Sequence, residues 1–391
     1  VTFDDDVAGL GTGNFSIVGS GGDSIDSVAG AGTAWTVTVN TASDVEDTLT
    51  IDLTDTTGVT DDVGNPLVAG YAGDESYDVD TAGPVATAIL RGTNPGVQLT
   101  NAAQVEFDVT FNENANGVAA GNFTPAGGAG DSVDSVSGVA TAWTVVVNTA
   151  TGVEGTDNLT VDLDASLSGI TDDLGNPMTV ARPGDEYYSI DTLGPTVLSI
   201  TRQNPTPTNA TAVDFRATFS EDVSGVAVGN FSPNATGGQT AASVASVSGV
   251  TASEWDISVD TASGIGELGI DLNANLSGIT DTLGNPMDTP FSSSERYDID
   301  REAPETTAVS AVTSSPTGDT TVVFNVTFTE PVTGFNDSAD VIVTATAGLT
   351  YNPTVQVVDN GTQDDYNVTL TDVYGAGGIS IGVDTGSDVI D

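Results

Sequence analysis

The residues of this chain best able to do chemistry are carboxylates, and they recur in one setting. Residues 168–178 read SGITDDLGNPM, with near copies TGVTDDVGNPL at 57–67 and SGITDTLGNPM at 277–287. Two adjacent acids, a glycine and an Asn-Pro pair make a turn rather than a strand. Clustered carboxylates suit two chemistries. One is acid–base hydrolysis, of which glycoside cleavage is the type reaction. The other is capture of a hard cation, since calcium takes six to eight oxygen ligands in irregular geometry. The chain has no His and no Cys, and all six of its basic residues are Arg. That removes imidazole and thiolate ligands, most general bases and most covalent nucleophiles. An acid repeated in a repeated turn points to structure rather than turnover, so the expectation is a protein that is not an enzyme.

Acids number 56 against 6 basic residues in 391, for a net charge of −50, and Asp outnumbers Glu roughly three to one. Such a surface repels nucleic acid and anionic membranes, both of which are bound through basic patches. Self-repulsion at this charge calls for salt or bound cations, which suits a saline, halophilic setting or a marine one with calcium. No apolar run approaches the length of a membrane-spanning helix. Without cysteine there is no disulfide framework.

The elements that position the acidic turns repeat with them. VTFDDDV at 1–7, VTFNENA at 109–115, ATFSEDV at 217–223 and VTFTEPV at 326–332 are one motif. Its phenylalanines, Phe3, Phe111, Phe219 and Phe328, are 108, 108 and 109 residues apart. GNF recurs at 13–15, 121–123 and 229–231, and YDVDTAGP (77–84), YSIDTLGP (188–195) and YDIDREAP (297–304) end three of the units. The boundaries predicted are 1–83, 84–194, 195–303 and a variant fourth unit, 304–391. The first lacks its opening strand, and the fourth stops before its last turn and strand. A period this long fits whole β-sandwiches in series. Val105, Phe107, Val109 and Phe111 alternate with polar residues, as do Val213, Phe215, Ala217 and Phe219, the two-residue period of a half-buried strand. The expected fold is all-β: tandem Ig-like antiparallel sandwiches forming a rod.

The ordered set F-[ST]-E-[DP]-V, GNF, an aromatic-led strand, I-T-D-x-x-G-N-P and Y-x-I-D-x-x-x-P resembles the Ig-like repeats of bacterial and archaeal cell-surface proteins. That group includes S-layer proteins and large repetitive adhesins. The resemblance covers the whole chain, although the fourth unit has Pro331 in place of an acid and Gly334-Phe335-Asn336 in place of GNF. It implies an extracellular, surface-bound protein. A structural rod in an S-layer, stalk or filament, self-assembling with copies or further repeats, is the leading expectation. An adhesin holding carbohydrate or protein in its loops is the alternative.

Strand parity gives the acidic turns a place. With seven strands running alternately down and up, the loop after the phenylalanine motif and the acidic turn share the pole where the preceding linker arrives. The acids predicted to converge at the first joint are Asp80, Glu113, Asp172 and Asp173. At the second they are Asp191, Glu221, Asp222 and Asp281. At the third they are Asp300, Glu302 and Glu330. Carboxylates at close quarters repel unless a cation lies among them, and oxygen-only ligands recurring at the joints make Ca²⁺ that stiffens them the leading expectation. Solvated turn residues on an acidic surface are the alternative, and Thr282 standing where the earlier turns carry a second Asp favours it. The three tryptophans, Trp35, Trp143 and Trp255, each lead an alternating strand and are expected in the core. Of eleven Asn-x-Ser/Thr sequons, Asn14, Asn122 and Asn230 lie in GNF and read as turn residues, with glycosylation open at the others.

Overall fold

A computed structural model describes residues 1–19, 21–128, 130–155, 157–384, 386 and 389–390. The fold is all-β, with only short 3-10 turns between strands. No helix among the described residues is long and apolar enough to cross a membrane. The chain divides into two compact units, Val1–Pro195 with Ser277–Asp288, and Thr196–Leu276 with Thr289–Asp391. Within each unit the sheets draw their strands from one sequence period at a time.

The second period shows the complete sandwich. One sheet orders Ser132–Val139, Ala142–Asn148, Gln104–Phe111 and Ala86–Arg91, all antiparallel neighbours. The other orders Phe123–Ala126, Asp157–Leu163, Tyr188–Ile190 and Leu99–Thr100, the last pair parallel. This is the strand partition of an Ig-like sandwich. The alternation in sequence becomes burial: Val105, Phe107, Val109 and Phe111 face the core, while Asp108 and Thr110 face water. Leu159, Val161 and Leu163 meet them from the opposite sheet, each with no exposed surface.

Period three, in the second unit, repeats the first sheet with Val197–Arg202, Ala212–Phe219, Glu254–Asp260 and Ser243–Gly249. Period four does so with Thr306–Ala311, Val322–Phe328, Asp365–Leu370 and Gln356–Asp359. In the first period the corresponding sheet is narrower: Ser24–Asn40, Thr2–Ala8 and Thr60–Asp61.

Two aromatic positions tie the sheets to their loops. Tyr188 is fully buried, edge-on to Phe107 at 5.3 Å between ring centroids, and its hydroxyl donates to the Glu106 carbonyl at 3.0 Å. Burial pushes the Tyr188 phenol up to about 12. Tyr297 repeats the arrangement against Phe215, donating to the Asp214 carbonyl and accepting from the Gln203 and Asn204 amides. Tyr77, at the same sequence position in the first period, is 73% exposed. The tryptophans are half-buried rather than core residues. Trp143 and Trp255 stand second in their strands and Trp35 lies within Ser24–Asn40, and each indole is only partly covered by the sandwich. Gly138, paired with Trp143, makes room for it: a Cβ there would lie 2.5 Å from the Trp143 Cα and 2.9 Å from the ring.

Tyr188→Phe removes a buried hydroxyl from a shared carbonyl and is expected to destabilise its sandwich by about 1–3 kcal/mol. Tyr77→Phe is expected to change stability by less than about 0.5 kcal/mol. Denaturant unfolding of the two variants measures the contrast.

Candidate metal centre and linker joint

Asp172 opens the turn and is only 3% exposed. Its Oδ1 accepts from the backbone N–H groups of Leu174, Gly175 and Asn176 at 2.9, 2.6 and 2.8 Å. Its Oδ2 accepts from the Asn176 side-chain amide at 2.7 Å. Burial alone would raise the Asp172 carboxyl, but these bonds outweigh it and hold it below the usual carboxylate range. The spacing explains the motif. An Asp four residues before an Asn lets one carboxylate close the turn through the backbone and orient the Asn side chain. Gly175 takes the positive φ of 96° that the turn requires.

The oriented Asn176 then reaches out of its own sandwich. Its amide donates to the Asp80 carbonyl in the incoming linker at 3.0 Å. Gly83 lies so close that a Cβ would fall 2.0 Å from the Pro177 carbonyl oxygen. Thr81 fastens the same linker backward: its hydroxyl donates to the Ala42 carbonyl at 2.8 Å, and its amide to the Val45 carbonyl at 2.8 Å. The first unit contains a second copy. Asn285 donates to Asp281 at 2.7 Å and to the Asp191 carbonyl at 2.9 Å, and a Cβ on Gly194 would lie 2.0 Å from the Pro286 oxygen. Asp281 is also 3% exposed. The turn at 57–67 has the same interior, with Asn65 donating to Asp61 at 2.7 Å, but there Asn65 is exposed.

Of the acids predicted at the first joint, the fold brings Asp80 and Glu113 together, and adds Glu46. One carboxylate oxygen from each lies within 4.8 Å of the other two. Burial, then the charges of Asp80, Glu46 and Asp172, push the Glu113 carboxyl up. Asp173 turns elsewhere, accepting from the Asn114 and Asn116 amides at 2.9 and 3.0 Å, which lower its carboxyl. Asp191 and Asp281 bring carboxylate oxygens within 4.8 Å of each other. Asp191 is pushed up by burial, with the charges of Asp281 and Glu154 adding to it. Glu221 and Asp222 lie in the second unit, on the loop after strand Ala212–Phe219. In that unit Glu302 and Glu330 line one cleft with Glu305, while Asp300 accepts from the Glu302 amide at 3.1 Å. Arg301 replaces the linker threonine there and donates to the Thr261 carbonyl at 3.0 Å.

Glu46 was the residue that sequence reasoning missed. Its signal is the Val-Glu pair at 45–46 that returns at 153–154, on the loop that receives the linker threonine. The buried GNF asparagines, Asn14, Asn122 and Asn230, are turn residues as expected. Asn122 accepts from the Ala119 amide at 2.6 Å and donates to the Ser166 carbonyl at 3.1 Å, so its amide is sealed in the fold.

No family model matches the chain, and no curated protein matches it. Among solved structures it is similar to the Escherichia coli adhesin FdeC, at 15% identity and a TM-score of 0.30, over 78% of this chain and 96% of that one. It is also similar to two structures of the S-layer protein SbsC, at 15% and 14% identity with TM-scores of 0.27 and 0.26. These cover all of this chain, which spans about half the length of each SbsC structure, 51%. At such scores the likeness carries no argument, and the sandwich reading rests on the strands described above.

Asn176→Ala leaves a buried carboxylate short of a donor and frees the linker, and is expected to cost about 2–3 kcal/mol. Asn65→Ala, at the exposed copy, is expected to cost about 1 kcal/mol less. Denaturant unfolding with proteolysis at 80–84 reads both effects. A carboxyl raised on folding holds its proton more tightly in the folded state, so its penalty is full above the folded pKa and vanishes below the unfolded one. Glu113→Gln, in chelator at constant salt, is therefore expected to raise the unfolding midpoint at pH 7, with the gain disappearing near pH 3. A gain independent of pH would contradict this origin.

Proposed function

We propose that this chain is an extracellular structural repeat protein, a section of a cell-surface S-layer, stalk or filament whose joints are stiffened by calcium. The observation that carries the reading is the linker joint, made twice by the same residues: Asn176 on Asp80 and Asn285 on Asp191. A joint that fixes each incoming linker by a side chain oriented from within its own turn serves a serial array whose geometry must persist from repeat to repeat. A surface carrying −50 charges suits exposure to salt rather than contact with nucleic acid or anionic lipid. Copies of the chain, or further repeats of the same kind, are its natural partners in such an array.

Calcium fits the first joint on chemistry and spacing. Glu46, Asp80 and Glu113 offer oxygen alone, and oxygens up to 4.8 Å apart can share one ion when each bond is about 2.3–2.6 Å. The backbone amide of Ala82 binds one Asp80 oxygen at 3.1 Å, leaving the other for an ion. A cation there removes the repulsion that raises Glu113. At the second joint Asp191 and Asp281 bring carboxylate oxygens equally close.

Immunogold labelling of intact source cells with antibody to this chain tests the location: label on the outer surface is expected, and label confined to the cell interior rejects the reading. Calcium is tested apart from it. At constant high ionic strength, calcium near a hundred times its dissociation constant is expected to raise the unfolding midpoint by about 10 °C. The triple variant Glu46→Gln, Asp80→Asn, Glu113→Gln is expected to lose that response at the first joint. Equal midpoints in calcium and chelator would leave the acids as solvated turn residues.

A further inference from the structure

The three linkers are not held alike. In the first, the loop after strand Ser24–Asn40 is fixed by an acid and a hydroxyl. The Asp23 carboxylate accepts from the Ala42 amide at 2.7 Å, and the Thr81 hydroxyl donates to the Ala42 carbonyl at 2.8 Å. The second linker repeats both bonds, with Asp131 on the Ala150 amide at 2.7 Å and Thr192 on the Ala150 carbonyl at 3.3 Å. In the third, both residue types change. Gln239 takes the place of the acid: completely buried, it accepts from the Ala262 amide at 2.9 Å and donates to the Ala262 and Gly264 carbonyls at 2.9 and 2.8 Å. Arg301 takes the place of the threonine, its Nη1 donating to the Thr261 and Ala262 carbonyls at 3.0 and 3.4 Å.

A third change removes a ligand. Glu46 and Glu154 each follow a valine of this loop, but Ile265 is followed by Gly266. The cause is steric. The connection that carries Gln239 coils as the 3-10 turn Gly237–Ala241 and lays the Thr236 carbonyl over residue 266. A Cβ on Gly266 would fall 2.1 Å from that oxygen, so a glutamate has no room there. Asp80 and Glu113 keep their counterparts, Asp300 and Glu330, but their trio has lost the member that Glu46 supplies. Asp23 to Gln239, Glu46 to Gly266 and Thr81 to Arg301 each shift the loop by one charge in the positive direction. The guanidinium is permanently charged and rests on carbonyl oxygens, as a calcium ion does. Glu302 meets the same loop, its Oε1 3.2 Å from where a Gly264 Cβ would stand.

We infer that Arg301 is a positioning residue that supplies, from within the chain, the positive charge that the first joint takes from calcium, so the third linker is held whether or not calcium is present. The contrast with the first joint rests on the calcium reading above, whereas the role of Arg301 rests on Gln239, Gly266 and the Arg301 bonds themselves. The chain then carries one joint that loosens when calcium is withdrawn and one that does not.

Hydrogen exchange of the full chain, in calcium and in chelator at constant ionic strength, tests this. With calcium near ten times its dissociation constant, exchange at 42–46 and 80–82 is expected to slow about tenfold, and at 261–265 and 299–303 by less than about twofold. Arg301→Gln keeps a donor and drops the charge, and is expected to speed exchange at 261–265 about tenfold in both media. Arg301→Lys keeps the charge and is expected to change it by less than about threefold. Amides of Ala212–Phe219 report that the sandwich stays folded. Calcium slowing 261–265 as much as 42–46 overturns the inference, and so does equal exchange of the Gln and Lys variants. If calcium slows neither segment, the calcium reading of the first joint fails, and the contrast between the two variants alone upholds or overturns the role of Arg301.

Discussion

A buried carboxylate that closes its own turn is the interaction on which the joints depend. Asp172 and Asp281 are nearly inaccessible to water, and an ionised group in that setting survives only if its oxygens are satisfied. The backbone amides and the Asn side chain of each turn do this. Once the carboxylate has fixed the Asn amide, the remaining N–H has one direction to point, toward the carbonyl of Asp80 or Asp191. The acid therefore acts on the linker through a neutral side chain. The charge stays inside the turn, and the contact between successive repeats within the first unit is an amide–carbonyl bond that salt barely screens.

That division of labour suits a chain with so much negative charge. Acids facing water repel one another, and at the first joint Glu46, Asp80 and Glu113 do so at short range. The joint is held by Asn176, Gly83 and Thr81, none of which is ionised. Repulsion and adhesion are thus carried by different atoms a few ångströms apart. A cation among the carboxylates would relieve the first without being needed for the second.

The strands were plain in the sequence because alternation at Val105, Phe107, Val109 and Phe111 has one physical reading: one face of a sheet against a core. Asp80 and Glu113 were legible too, since strand parity alone sends their segments to one pole. Glu46 was not, because it lies on the opposite pole of the preceding repeat, and parity within one sandwich says nothing about what that pole meets. The inner role of Asp172 was hidden for another reason. An acid in a turn looks the same whether it faces water or its own backbone. Only the four-residue step to Asn, kept at 61–65, 172–176 and 281–285, separates the two, while the second acid gives way to Thr282. The tryptophans lie on alternating strands, Trp35 within its strand rather than at its head, and periodicity does not report how much of a large ring its neighbours cover.

Gly83 and Gly194 give the repeat a genetic grain. Each lies under a proline carbonyl that leaves no room for a Cβ, and the glycine and its proline are encoded in successive periods. An exchange of one whole period between these two linkers keeps a glycine beneath an equivalent proline, whereas the third linker carries Ala303 at that position. A one-residue slip within the linker puts Ala82 or Pro84 there instead. Whole periods can therefore be exchanged between these two joints without disturbing the fit, and the fit itself holds the exchange in register.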